Sequence, residues 1–157
     1  DDDLSRGLGD VYKRQQINNG LDSLETNILT VDPNDSETLY LGTDDDGVYK
    51  STDGGESWKK LTVSSLSKSF GVGDIIVDPQ NSNNIYIGTV DYFRLSESRG
   101  VLGDFGVYKS TDGGATWEEF NVGLNHLGVF SLELSEENRI LYAGTRAGGV
   151  YWISLDN

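Results

Sequence analysis

The chain of 157 residues contains no cysteine, no methionine, two prolines and a single histidine. Without cysteine there are no disulfides, no thiolate metal sites and no thiol nucleophile. One histidine, His126, has no second His or Cys to complete a zinc set, and it reads as a surface-loop residue. Basic residues are also scarce: 12 Lys and Arg against 26 Asp and Glu give a formal charge of −14. Nucleic acid is excluded as a partner by that balance, since phosphate binding needs clustered cations. No apolar run is long enough to span a bilayer, so membrane insertion is not expected. A Gly-x-Ser-x-Gly elbow, a phosphate loop and a dinucleotide fingerprint are all missing, and no cofactor is called for.

The absence of methionine leaves the chain without an ordinary start. Its first residues are equally unusual. Ser5 to Gln15, SRGLGDVYKRQ, resembles a translated transposase adapter of the kind used in sequencing libraries. Residues 1–15 are therefore expected to be an adapter-derived, non-native tail, and they are excluded from fold reasoning. Any export signal would lie beyond what this sequence can display.

What the chain does have is repetition. Ile28-Leu29-Thr30-Val31-Asp32-Pro33 recurs as Asp74-Ile75-Ile76-Val77-Asp78-Pro79, and degenerately as Phe130-Ser131-Leu132-Glu133-Leu134-Ser135. Leu39-Tyr40-Leu41-Gly42-Thr43 recurs at 85–89 and 141–145. Gly47–Gly55 is repeated letter for letter at Gly106–Gly114, and Gly149-Val150-Tyr151-Trp152-Ile153 is a third, divergent copy. Each unit holds four short runs rich in Val, Ile, Leu, Tyr and Thr, bounded by Gly, Asp, Asn or Pro, with no helical period. Four strands per unit, labelled a to d, at a period of about 40–60 residues indicate propeller blades. The expected fold is all-β: a partial β-propeller of about three four-stranded antiparallel blades. The blades are set at approximately 27–61, 74–120 and 129–157 within a domain spanning 16–157. Residues 16–21 align with the tail of strand d in the second blade and read as the end of a preceding strand. The third copy stops after strand c. Gly42, Gly88 and Gly144 share one position of strand b, where a neighbouring backbone or aromatic ring is expected to pack close.

Ser51-Thr52-Asp53-Gly54-Gly55-Glu56-Ser57-Trp58 and Ser110-Thr111-Asp112-Gly113-Gly114-Ala115-Thr116-Trp117 match S-x-D-x-G-x-[ST]-W. This resembles the Asp-box, or BNR repeat, found in sialidases, xyloglucan-degrading glycoside hydrolases, sortilin-type receptors and photosystem assembly factors of propeller fold. The resemblance implies a structural role for Ser51, Asp53, Gly55, Trp58, Ser110, Asp112, Gly114 and Trp117. In mechanical terms, each Asp can accept bonds from its own turn, the glycines permit positive φ, and the Trp packs between sheets. Propeller geometry puts the c–d turns on one face, and ligand sites on the opposite face of b–c and d–a loops.

Candidates on that opposite face are Asp44-Asp45-Asp46, the long loop from Val90 to Phe105, Arg146-Ala147 and His126. The loop carries Tyr92, Phe93, Arg94, Arg99 and Phe105. Rings and guanidinium groups together suit sugar stacking or a protein contact, and with Arg146 they form the candidate ligand set. Asp44-Asp45-Asp46-Gly47 lacks the alternating spacing of a calcium loop and reads as a hairpin turn. The favoured reading is a non-catalytic binding or assembly module for protein or carbohydrate, exported from a bacterium to the periplasm or outside the cell. The alternative is a fragment of a secreted glycoside hydrolase, sialidase-like or xyloglucanase-like, with most catalytic residues in missing N-terminal blades. Hydrolysis would use paired carboxylates; Asp44, Asp45, Asp46, Asp91 and Asp104 are available, and nothing singles out a pair. Arg94, Arg99, Arg139 and Arg146 do not map onto a sialidase triad, since Arg139 falls at an a–b turn.

Overall fold

A computed structural model describes residues 14–66, 69–91 and 104–156. Among them there is no helix; the chain forms three antiparallel sheets in series. Blade 1 consists of β1 (Thr26–Asp32), β2 (Asp35–Thr43), β3 (Val48–Ser51) and β4 (Lys59–Lys60). Blade 2 consists of β5 (Gly71–Val77), β6 (Ile85–Val90), β7 (Val107–Ser110) and β8 (Glu118–Glu119). Blade 3 has three strands, β9 (Val129–Ser135), β10 (Ile140–Thr145) and β11 (Gly149–Ser154). Strand order follows chain order in every sheet, so each blade is a meander, and the three together are a partial β-propeller.

The blades stack through alternating side chains. One face of blade 1, with Tyr40 and Val48, is buried against Val72, Ile75, Val77, Ile85 and Ile87 of blade 2. The corresponding face of blade 2, with Tyr86 and Val107, is buried against Val129, Leu132, Leu134 and Leu141 of blade 3. Polar stitches accompany the apolar contact. Thr30 Oγ1 donates to Ile75 O at 3.0 Å, and Leu132 N–H donates to Asp74 Oδ2 at 2.8 Å. Burial drives the Asp74 carboxyl upward, and the N–H donors of Leu132 and Ile75 only partly oppose it. At the a–b turns, Ser82 Oγ donates to Asp32 Oδ1 between blades 1 and 2. Arg139 reaches Asp78 with both terminal nitrogens, at 2.9 and 2.6 Å, between blades 2 and 3. Burial works to raise the Asp78 carboxyl, but the fork from Arg139 and the Gln80 N–H outweigh it and hold it below the usual carboxylate range.

Three details differ from the sequence-based expectations. The degenerate third copy of strand a is shifted by one residue. Gly144 pairs with Ser131 as Gly42 pairs with Ile28, so Ser131, not Phe130, is the equivalent of Ile28. Phe130 falls at the register shift between the Ser131 and Val129 pairings, and it lies exposed. Strand a of blade 2 begins at Gly71 rather than 74, because a bulge between Val72 and Asp74 lets it continue through Gly73. Finally, no aromatic ring among the described residues packs on the shared strand-b glycines. A Cβ on Gly42 would lie 2.8 Å from Val72. One on Gly88 would lie 2.7 Å from Val129 Cγ1 and 3.1 Å from the Val129 backbone carbonyl, the close backbone expected there, and one on Gly144 would meet the Ser131 hydroxyl.

Candidate functional site

The two ends of each blade are built differently. At the c–d end, Ser51 Oγ and Ser57 N–H donate to Asp53 Oδ1 at 2.7 and 2.9 Å, while Ser57 Oγ donates to Oδ2 at 2.5 Å. Ser110 and Thr116 do the same for Asp112 at 2.8, 2.8 and 2.5 Å. Ser51 and Ser110 each accept the N–H of the second glycine, Gly55 or Gly114. Both glycines have φ near +90°, which only glycine adopts freely. These donors, led by the Ser57 and Thr116 hydroxyls, pull both carboxyls from 3.8 down to about 2. Three donors thus tie each carboxylate, Asp53 and Asp112, into its own turn. Trp58 and Trp117 are buried, Trp117 within the blade 1–blade 2 core.

At the b–c end, one threonine organises each loop. Thr43 Oγ1 donates to Gly47 O and accepts from Asp46 N–H, both at 2.9 Å. Thr89 holds Gly106 O and Phe105 N–H at 2.9 and 3.0 Å; Thr145 holds Gly149 O and Gly148 N–H at 2.9 and 3.0 Å. The repeated Gly-Thr pair that ends strand b is the sequence signal for this device, although repetition alone does not disclose what the hydroxyl binds.

Past the threonine the loops diverge. The three aspartates of blade 1 have different surroundings. Asp46 accepts from the Tyr49 hydroxyl and pairs with Lys60, and Asp45 accepts from Ser23 Oγ at 3.4 Å. Burial, then the bond to Asp46, raises the Tyr49 hydroxyl to about 12. Asp44 is tied by its backbone, its N–H donating to Glu25 O at 2.9 Å, while its Oδ1 is buried with no hydrogen-bond partner. Such an oxygen is costly, and native structures hold few of them.

Between blades 2 and 3 the same face opens a cleft of about 290 Å³, lined by Asp104, His126, Leu127, Gly128, Arg146 and Ala147. Asp104 Oδ1 accepts the N–H of Asp91, whose carbonyl accepts from Arg146 Nη2 at 2.5 Å. The Arg146 guanidinium lies over the Phe130 ring, 5.1 Å from its centroid. His126 Nδ1 is 3.1 Å from the Tyr151 hydroxyl. The structure therefore brings Arg146, Asp104 and His126 to one cleft. Phe105 is separate: half-buried, it packs against the core of blades 1 and 2. Tyr92, Phe93, Arg94 and Arg99 lie outside the described residues.

Over residues 4–152 the chain matches the family model Sortilin-Vps10, described as sortilin, neurotensin receptor 3. An oligoxyloglucan-reducing end-specific xyloglucanase from Neosartorya fischeri is 32% identical over 120 residues, covering 74% of this chain and 14% of that protein. A xyloglucanase from Paenibacillus sp is 34% identical over 99 residues, covering 57% and 10%. Among solved structures, an ancestral GH74 enzyme superposes with TM-score 0.59 at 25% identity, over 81% of this chain and 14% of its own. The GH74 xyloglucanase of Xanthomonas campestris gives 0.61 at 16% identity, over 90% and 25%, a likeness of fold alone. This chain thus spans only 14% and 10% of the length of these two curated relatives.

Proposed function

We propose that this chain, a member of the Sortilin-Vps10 family, is part of a glycoside hydrolase acting on xyloglucan, with its b–c and d–a loop face lying along the glucan. This reverses the preference drawn from sequence. The observation that carries it is the identity with two xyloglucanases, which reaches 120 residues in one of them. A polymeric substrate is met outside the cytoplasm, which favours an extracellular or periplasmic site.

Glycosidic hydrolysis uses two carboxyl groups flanking the bond, one to protonate the leaving oxygen and one to act as base or nucleophile. Asp44 is the candidate for one of them. Its Oδ1 is buried without a hydrogen-bond partner, so a loop that opens there would let a sugar hydroxyl donate the hydrogen bond it lacks. Asp45, Asp46 and Asp104 already accept hydrogen bonds. Arg146 would donate to sugar hydroxyls; Tyr92, Phe93, Arg94 and Arg99, outside the described residues, are the sequence's candidates for stacking on a sugar. A protein-binding module is the second reading, favoured by the receptor description of the matching family.

Calorimetric titration of the chain with xyloglucan oligosaccharides, alongside a reducing-sugar assay on the polymer, tests the choice. Saturable heat that Arg146→Ala weakens supports the proposal, and so does hydrolysis abolished by Asp44→Asn. Neither heat nor sugar release would remove it and leave the protein-binding reading.

A further inference from the structure

Four places in the chain join an Asn or Asp to a glycine: Asn19-Gly20, Asp46-Gly47, Asp53-Gly54 and Asp112-Gly113. At such a pair the glycine nitrogen can attack the preceding side-chain carbonyl carbon, because no Cβ on the glycine blocks the approach. Two things decide whether it does: the freedom of that nitrogen and the charge on the group it attacks. In three of the pairs the nitrogen is engaged. Gly47 N–H donates to Phe70 O at 3.0 Å, Gly54 N–H to Glu37 O at 2.9 Å and Gly113 N–H to Asn83 O at 3.0 Å. Their side chains are carboxylates, poor electrophiles as anions, and Asp53 and Asp112 stay ionised down to about 2.

Asn19-Gly20 differs on both counts. The pair fills the centre of a turn closed by Leu21 N–H donating to Asn18 O at 3.1 Å, with Gly20 at φ +92°. Gly20 N–H has no hydrogen-bond partner among the described residues. The Asn19 side chain is a neutral amide, exposed, and held by a 3.4 Å bond from Nδ2 to Glu56 O. The corresponding turn between blades 2 and 3 is closed by Leu124 N–H on Asn121 O, and its second residue, Val122, is 90% exposed. Exposure at this position thus belongs to the turn itself and persists between two blades.

We propose that Asn19 is a site of spontaneous deamidation, and that its conversion to isoaspartate unfastens the segment ahead of blade 1 from Trp58. Gly20 N attacks Asn19 Cγ and closes a cyclic imide; the side-chain amide leaves as ammonia, carrying the proton from Gly20 N. Water then opens the imide. Cleavage on one side of the nitrogen leaves an ordinary aspartate, and cleavage on the other leaves isoaspartate. In isoaspartate the main chain runs through Cβ and Cγ, and the former main-chain carbonyl becomes a side-chain carboxylate. That carbonyl, Asn19 O, is the acceptor for Trp58 N–H at 2.8 Å, next to the bond from Trp58 Nε1 to Ile17 O at 2.7 Å. The extra methylene displaces the acceptor, and the new carboxylate adds negative charge to a chain already at −14.

Peptide mapping of the full chain tests this, with one sample held folded in mildly alkaline buffer and a second held in urea. In the folded chain Asn19 should convert ahead of every other asparagine, and isoaspartyl-methyltransferase labelling should follow it. Asp53 and Asp112 should keep ordinary linkages while folded. Urea should raise isoaspartate at both by about fivefold or more, the factor that one backbone hydrogen bond carries. Asn19→Gln, whose longer side chain closes the ring poorly, should lose the label at that position. In the converted fraction, hydrogen exchange at the Trp58 amide should quicken by about fivefold, and Asn19→Gln should keep the parent rate. Three results would overturn the proposal: an Asn19 amide as durable as that of exposed Asn125, isoaspartate gathering at folded Asp53 or Asp112 as fast as at Asn19, or unchanged Trp58 exchange after conversion.

Discussion

The c–d and b–c ends of these blades use the same residue types to opposite purposes. At the c–d end, Asp53 and Asp112 sit in turns whose matching hydrogen bonds agree within about 0.1 Å. At the b–c end only the threonine bonds repeat, and beyond them lies an aspartate run, a long insertion or Arg146-Ala147. Closing a blade and shaping its opposite loops are therefore separable tasks. Once one end is locked by local bonds, the other is free to vary, and a loop held by a rigid sheet is where binding chemistry accumulates.

The most direct challenge to this division is damage to the locked end. Trp117 is buried between blades 1 and 2, and its Nε1 donates to Gly114 O at 3.1 Å. Trp117→Ala should cost about 3–5 kcal/mol, the range for emptying a large aromatic site in a core. Urea unfolding would measure it. A loss below about 1 kcal/mol would mean that the junction does not depend on the ring.

A smaller effect is expected where the loops share a device. Thr89 is fully buried and its hydroxyl serves both Gly106 O and Phe105 N–H, whereas the Thr145 bonds sit at the exposed edge of blade 3. Thr89→Val should cost about 1–3 kcal/mol by leaving the Phe105 N–H unsatisfied, while Gly106 O keeps the Thr89 N–H. Thr145→Val should cost less, since water can take over. Equal losses in paired denaturation curves would show that burial is not what gives the threonine its value.

These contrasts also explain what the sequence could reveal. The c–d turn was legible because its partners lie within six residues, and a short spacing carries the whole hydrogen-bond pattern. Strands a to c were legible from alternation and repetition. The third strand a misled by one position: Val129-Phe130-Ser131-Leu132 offers two apolar registers, and only pairing with β10 chooses between them. The Asp74–Leu132 bond and the Arg139–Asp78 fork span 58 and 61 residues, so no local pattern announces them. The unpartnered Asp44 Oδ1 was likewise invisible, because Asp44, Asp45 and Asp46 are chemically identical and only packing tells them apart.

Acid should weaken the locked end in a predictable window. Asp53 and Asp112 fall from 3.8 to about 2 in the folded chain. A folded pKa below the unfolded one adds stability that is present above the unfolded value and lost as pH falls through the folded one. The melting temperature should therefore drop between about pH 4 and pH 2. In the double variant Asp53→Asn, Asp112→Asn that part of the acid slope should flatten. An unchanged slope would assign the acid sensitivity to other carboxylates, Asp78 first among them.

The smallest effect on stability, and the most telling for the contrast, is expected at Asp44. Changing a carboxylate in the c–d turn removes accepted hydrogen bonds, but Asp44 Oδ1 accepts none. Asp44→Asn keeps the shape and removes no hydrogen bond accepted at Oδ1, so it should leave the unfolding free energy within about 0.5 kcal/mol of the parent. The same change should remove any xyloglucan hydrolysis. A carboxyl whose loss abolishes turnover without weakening the fold is kept for its chemistry. If Asp44→Asn instead destabilised the chain as much as Asp112→Asn, Asp44 would be a structural member of its loop, and the division between the two ends would fail at the residue that states it most strongly.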